Sequence, residues 1–185
     1  KNLQFTHFFV SFVFNMEDKL HLYFKNAAEW REWLQENHHS SEAVYLIFYR
    51  VNSGYESMRW EEAVQVALCY GWIDSTVRKM DDERRKQVFG PRKNKSVWSK
   101  VNKNYVEKLI SENLMHESGL KKIEIAKQNG SWESLDHVEN LTIPSDLQKA
   151  FDTNPIAFTN YQNFSFTYRK SYLYWLNQAK REETR

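Results

Sequence analysis

The chain has one cysteine, three prolines and five glycines in 185 residues. A single thiol, Cys69, rules out an intramolecular disulfide and suits a reducing compartment. So few turn-formers weigh against an all-β sandwich and favour helices. No apolar run approaches the roughly 18 residues of a membrane span. The spacings C-x-x-C and H-E-x-x-H are missing, as are a P-loop, a dinucleotide fingerprint and G-x-S-x-G. No resident metal or cofactor is expected, and no catalytic set is fixed by motif.

Aromatics are plentiful: seven Trp, ten Tyr and twelve Phe. With 41% hydrophobic and 27% charged residues, the composition is that of a folded domain with a real core, not a disordered chain. The net charge of +2 is small, but it is unevenly spread. Between Arg78 and Lys103 ten Lys/Arg face Asp81, Asp82 and Glu83, a local +7. Between Glu17 and Glu62 nine acids face five bases, a local −4. The surface should therefore have a positive side.

The N-terminus begins with Lys1, and the short apolar stretch 5–14 (FTHFFVSFVF) follows. It lacks the small-residue cleavage pattern of a signal peptide. Residues 1–15 are read as an extra segment, either a strand or a start-site artefact with Met16 as the true start, and residues 16–185 as a single domain.

The pattern along the chain alternates two periods. Asn26 and Glu29 form a capping-box variant that opens a helix carrying Trp30, Trp33 and Leu34 and ending near Asn37. Residues 44–51 (VYLIFYRV) read as a strand. Trp60, Ala63, Val64, Ala67 and Leu68 mark an amphipathic helix stopped at Gly71. Residues 72–80 and 85–89 read as strands around an acidic turn, and with 44–51 they make a small antiparallel sheet. Pro91 closes that unit. Helices follow over 101–114, 118–129 and 145–151. Another, opened by Asn154 and Pro155, runs through Tyr161. The last is capped by Ser165, with a face of Tyr168, Tyr172, Trp175, Leu176 and Ala179, ending in Lys180 and Arg181 ahead of a frayed tail, 182–185. The expected class is α+β, mostly helical.

Chemistry concentrates between residues 68 and 106. A basic loop, 90–99, feeds a helix N-terminus, where backbone N–H groups and the helix dipole favour an anion. Arg92 can grip a carboxylate or phosphate as a fork, Lys100 adds charge, and Trp98 offers a stacking surface. Asp74 lies one strand step from Trp72 on the same face. A carboxylate there needs a partner, for which Arg78 and Arg92 are the candidates. Asn102 sits near the helix start as a cap or ligand amide. Each has a purely structural counterpart: a solvated loop with Trp98 as core anchor, and an Asp74 ion pair. Cys69 lacks a companion base and reads as a buried, inert thiol. Adjacent His38 and His39 point apart on a helix and suit its C-terminal charge.

Residues 68–74 (LCYGWID), 89–92 (FGPR) and 96–102 (SVWSKVN) together resemble the YdeI/OmpD-associated, bacteriocin-protection family. So do 30–34 (WREWL), 115–119 (MHESG), Trp132 and the closing 179–185 (AKREETR). Gly90 in place of Thr and Ser75 in place of Gly depart from the pattern. The resemblance implies a small bacterial single-domain protein linked by the family's names to envelope stress and bacteriocin protection, with no catalytic residues to carry over.

The leading expectation is a non-enzymatic protein that binds an anionic or aromatic small ligand, or an acidic protein partner, through Trp72, Asp74, Arg92, Trp98, Lys100 and Asn102. The enzyme alternative uses Asp74 as acid/base and Arg92 as anion clamp. Binding of nucleic acid along Arg78–Lys103 is the least favoured reading, given the small net charge. A cytoplasmic location is expected from the missing signal, with envelope association as the alternative suggested by the family's names.

Overall fold

A computed structural model describes residues 19–185 of the chain. The strand and start-site readings of segment 1–15 lie outside the described residues. The architecture is α+β and mostly helical. Strands β1 (His21–Tyr23), β2 (Val44–Tyr49), β3 (Trp72–Lys79) and β4 (Arg84–Pro91) form one sheet in the order β1-β2-β4-β3. The three expected strands make its antiparallel part. β1, which its three residues do not announce, adds a parallel edge beside β2 and makes the sheet mixed.

Helices α1 (Ala27–Asn37) and α2 (Trp60–Cys69) supply the apolar layer packed on this sheet. Asn26 caps α1 by accepting the N–H groups of Ala28 and Glu29 at 3.0 and 3.1 Å. Val44, Leu46 and Phe48 alternate along β2 with their side chains buried, as does Phe89 on β4. Burying such a side chain contributes about 1.5–3 kcal/mol, against about 1 kcal/mol for the whole span of strand propensity. Burial therefore sets which face turns inward. Trp30, Trp33 and Trp72 pack edge to face and stacked beneath that face.

Helices α3 (Lys100–Ser111) and α4 (Glu117–Gln128) close the main core. The join between α2 and α4 explains the motif residues there. Gly71 turns the chain out of α2 with φ +73°. The backbone carbonyls of Cys69 and Tyr70 are taken up by His116 N–H at 3.0 Å and Ser118 Oγ at 3.1 Å. Gly119 crosses so close to Cys69 that a Cβ would lie 2.2 Å from its carbonyl oxygen.

The C-terminal part comprises α5 (Asp136–Glu139), α6 (Ser145–Asp152), α7 (Pro155–Asn163) and α8 (Phe166–Gln178) around a small buried cluster of Leu135, Val138 and Leu173. The four-residue α5 is too short for its periodicity to be read from sequence. On α8 the expected face holds at Leu176 and is otherwise corrected: Tyr168, Tyr172 and Trp175 are exposed, and Leu173 joins Leu176 in turning inward. Leu173 in the small cluster and the Lys170–Glu139 ion pair fix that rotation. The helix ends at Gln178, short of Lys180 and Arg181. The tail is tethered, not frayed: Arg185 donates to Asp146 at 2.8 Å and to the Leu176 carbonyl at 2.8 Å.

Candidate functional site

The start of β3, the end of β4, the loop after Pro91 and the first turn of α3 enclose a cleft of about 830 Å³. Its size is within the range of small-ligand sites. Asp74, Arg92 and Asn102 all contribute to its wall, as does Trp60 from α2. Ile73, Val88, Val97, Val101 and Leu135 make much of the rest apolar.

Arg92 is placed by its own backbone, whose N–H donates to the Gly71 carbonyl at 2.9 Å. Its side chain is 3% exposed. The guanidinium lies over the Trp98 ring, 3.6 Å from the centroid, and Nη2 donates to the Val97 carbonyl. Nε and Nη1 are shielded from solvent and have no hydrogen-bond partner among the described residues. Burial pulls the guanidinium pKa down to about 10, while the negative charge of Asp74 pulls it back up. The group is still a cation at neutral pH. A desolvated cation–π contact contributes about 2 kcal/mol. Each buried donor left unmade costs about 1–3 kcal/mol, more when charged. The indole alone does not offset two such donors, so the described residues leave this guanidinium short of an acceptor.

Asp74 is half-buried and held by two neutral donors. Oδ2 accepts the indole N–H of Trp60 at 3.0 Å and the side-chain amide of Gln87. Neither partner was foreseen from sequence. Arg78, one expected partner, is excluded by a register shift: β3 slips by one residue against β4 between Asp74 and Val77. Such a slip turns the following side chains to the other face. Arg78 then pairs opposite Lys86, while Asp74 lies opposite Phe89. Gln87 carried a readable signal, since it shares the buried face of β4 with Phe89 and a polar side chain there needs a partner.

The six expected residues thus separate. Asp74, Arg92 and Asn102 line the cleft. Trp98, 1% exposed, belongs to the buried core and not to the cleft wall: it lies under the Arg92 guanidinium and packs on Trp132. Trp72 is not part of the cleft: it is 1% exposed, its N–H donates to the His38 carbonyl, and its ring packs on Trp30 and Trp33. Lys100 has an exposed side chain outside the cleft wall, and its backbone N–H donates to Glu139 Oε1 at 3.2 Å. Ser99 caps α3 by accepting the N–H of Asn102 at 3.3 Å.

Other features carry less. The Cys69 thiol is buried, which pushes its pKa up against the opposing pull of Arg31, 3.2 Å away. A raised pKa disfavours the thiolate and with it nucleophilic reactivity. Among the described residues no group of three or more His, Cys, Asp or Glu is arranged to hold a metal ion, and no helix is long and apolar enough to cross a membrane. Part of the cationic run is neutralised or buried, while Arg78, Arg85, Lys93, Lys95 and Lys100 are exposed and outside the ion pairs of the described residues. Lys79 pairs with Asp82 at 2.6 Å, Arg84 with Asp81 at 2.6 Å and Lys103 with Asp136. Arg92 is inside.

Two family models match. Residues 140–185 match the family described as bacteriocin-protection, YdeI or OmpD-associated. Residues 22–122, which contain Asp74, Arg92, Trp98 and Asn102, match a domain of unknown function, DUF8412. Neither the comparison with curated proteins nor that with solved structures gives a match. The closing stretch 179–185 falls in the first of these matches and the motifs of residues 68–102 in the second, which spans more than half the sequence: the chain belongs to the DUF8412 family, and its C-terminal residues 140–185 are similar to the YdeI/OmpD-associated, bacteriocin-protection family.

Proposed function

We propose that the protein is a non-enzymatic binding protein for a small organic anion with an apolar body, held in the cleft between the β3–β4 pair and α3. The observation that carries this reading is the buried Arg92 guanidinium with Nε and Nη1 lacking any acceptor among the described residues. A carboxylate or phosphate oxygen would supply the missing acceptor once the guanidinium, shielded in the ligand-free fold, turns those donors towards the cleft that Arg92 lines. Arg92 spends one Nη2 hydrogen on Val97 and keeps donors for a charge-assisted, two-point grip. The apolar wall takes the rest of the ligand, and a ligand that displaces water from the cleft strengthens the charge contact.

Asp74 shares the wall, which is the geometric requirement of the acid/base alternative. Its Oδ2, pinned by Trp60 and Gln87, favours a fixed acceptor over a proton carrier. The paired state of Lys79, Arg84 and Lys103 weighs against a nucleic-acid strand as partner, which needs a continuous basic groove. The setting we propose is the one named by the family matched at residues 140–185, protection against bacteriocins.

The test is calorimetric titration of the wild type and Arg92→Met with benzoate, 3-phenylpropionate and inorganic phosphate. Saturable binding of at least one by the wild type, lost in Arg92→Met while its circular dichroism is unchanged, is the expected result. Binding that survives the substitution, or no binding of any of the three, overturns the reading.

A further inference from the structure

Two opposite charges face one hollow without neutralising each other. Asp74 and Arg92 both line the cleft, yet no ion pair joins them among those of the described residues, where pairs extend to 3.9 Å. Their charges do feel one another, since the carboxylate of Asp74 opposes the loss of the Arg92 proton. Each is instead held in place by neutral groups of its own: Asp74 by Trp60 and Gln87, Arg92 by the Val97 carbonyl and the Trp98 ring. What each has left over points to a ligand. Oδ1 of Asp74 takes no hydrogen bond from the described residues, because both of its donors go to Oδ2. Nε and Nη1 of Arg92 are likewise unmatched.

This charge arrangement discriminates between ligands. A simple monoanion on Arg92 brings its negative charge close to the half-buried Asp74, and a dianion does so more strongly. Like charges in a partly desolvated site repel each other more than in water. A lone cation on Asp74 meets the same objection from Arg92. A molecule carrying both signs satisfies both walls at once and leaves no net charge in the hollow. Ile73, Val88, Val97, Val101 and Leu135 supply an apolar surface for its remaining atoms.

We infer that the cleft takes a zwitterion of the amino-acid type with an apolar side chain, its carboxylate on Arg92 and its ammonium on Asp74 Oδ1. This rests on the reading of Arg92 as an anion grip and narrows the ligand class. Trp60 and Gln87 are then positioning residues that keep Oδ1 aimed at the ammonium.

The test uses L-phenylalanine, 3-phenylpropionate and phenethylamine, which share one aromatic body and differ only in charge. Each is titrated calorimetrically into the wild type, Asp74→Asn and Arg92→Met. L-Phenylalanine is expected to bind the wild type at least about tenfold tighter than either relative, the value of one charge-assisted hydrogen bond. Asp74→Asn should erase that advantage while 3-phenylpropionate binds the variant at least as well as the wild type. The ranking on the wild type alone decides the matter if the variant does not fold. If 3-phenylpropionate binds the wild type as well as L-phenylalanine or better, and Arg92→Met abolishes it, the zwitterion is overturned and the anion grip stands. Phenethylamine binding as tightly as L-phenylalanine also overturns the zwitterion. If none of the three binds, or binding survives Arg92→Met, both readings fall.

Discussion

Two buried charges flank the start of α3, and they are treated in opposite ways. Glu139, 8% exposed, has both carboxylate oxygens engaged: Oε1 takes the Lys100 N–H at 3.2 Å and Oε2 the Lys170 ammonium at 2.6 Å. It ties α3, α5 and α8 together. Arg92, 3% exposed, has one nitrogen engaged and two without a partner. Burying a charge is costly unless it is paired and hydrogen-bonded. The region around Glu139 meets that requirement from within the fold; around Arg92 the described residues leave it unmet, and the ligand we propose would meet it. The first is a structural junction and the second the proposed site, and of the two only Arg92 stands out in the sequence.

The contrast can be broken most directly at Glu139. Glu139→Ala leaves Lys170 and the α3 N-terminus without their acceptor, and with the Lys170 side chain 35% exposed to water the loss should be about 2–3 kcal/mol, read by urea unfolding. A loss below about 1 kcal/mol would erase the distinction from Arg92. Next in size is Arg92→Met. It should take binding of the best organic anion out of calorimetric reach, a weakening of at least about thirtyfold, equivalent to about 2 kcal/mol for a charged hydrogen bond, while changing stability by no more than about 1 kcal/mol, because an unpaired buried cation leaves with it.

A pH series sharpens the same point. The folded pKa of Arg92 is depressed to about 10, and in a base this means that the charged form is the disfavoured one in the fold. The wild type therefore carries a stability deficit below pH 10 that disappears as the pH rises from about 10 towards the ordinary arginine value. Relative to Arg92→Met, wild-type stability should climb across that window. A flat difference would mean that the guanidinium is not buried as a lone cation. The smallest effect is expected from Trp60→Phe, which removes one of the two donors holding Asp74. It should cost about 1 kcal/mol of stability and loosen ligand binding a few-fold without abolishing it.

Much of the layout is legible in the sequence because the large apolar residues keep strict periods. The strands at 44–49, 72–79 and 84–91 and the helix opened by Asn26 follow from alternation, helical spacing and caps. What escaped is what depends on contacts between distant elements. Nothing local reveals the slip between Asp74 and Val77, which sends Arg78 to the other face. α8 has enough aromatics for several inward faces, and its rotation is set by Leu135, Val138 and Glu139, which precede it by more than twenty residues. At the site, Arg92, Trp98 and Asp74 stood out as chemistry. The burial of both Trp72 and Trp98 outside the cleft wall did not, because it is decided by the packing of Trp30 and Trp33 on Trp72 and of Trp132 on Trp98. Glu139 gave no signal, since its two partners lie 39 and 31 residues away.

The central claim is that the unmatched N–H groups of Arg92 await an acceptor from outside the fold. It is tested most directly by following the arginine Nε–H resonances of the ¹⁵N-labelled protein during titration with L-phenylalanine and 3-phenylpropionate, with Arg92→Met used to assign the signal. The account predicts that the Arg92 Nε–H resonance moves saturably, in step with the binding isotherm of whichever of the two binds. An Arg92 resonance that stays put while a ligand binds, or that already shows the shift and solvent protection of a hydrogen-bonded donor in the ligand-free protein, would contradict it.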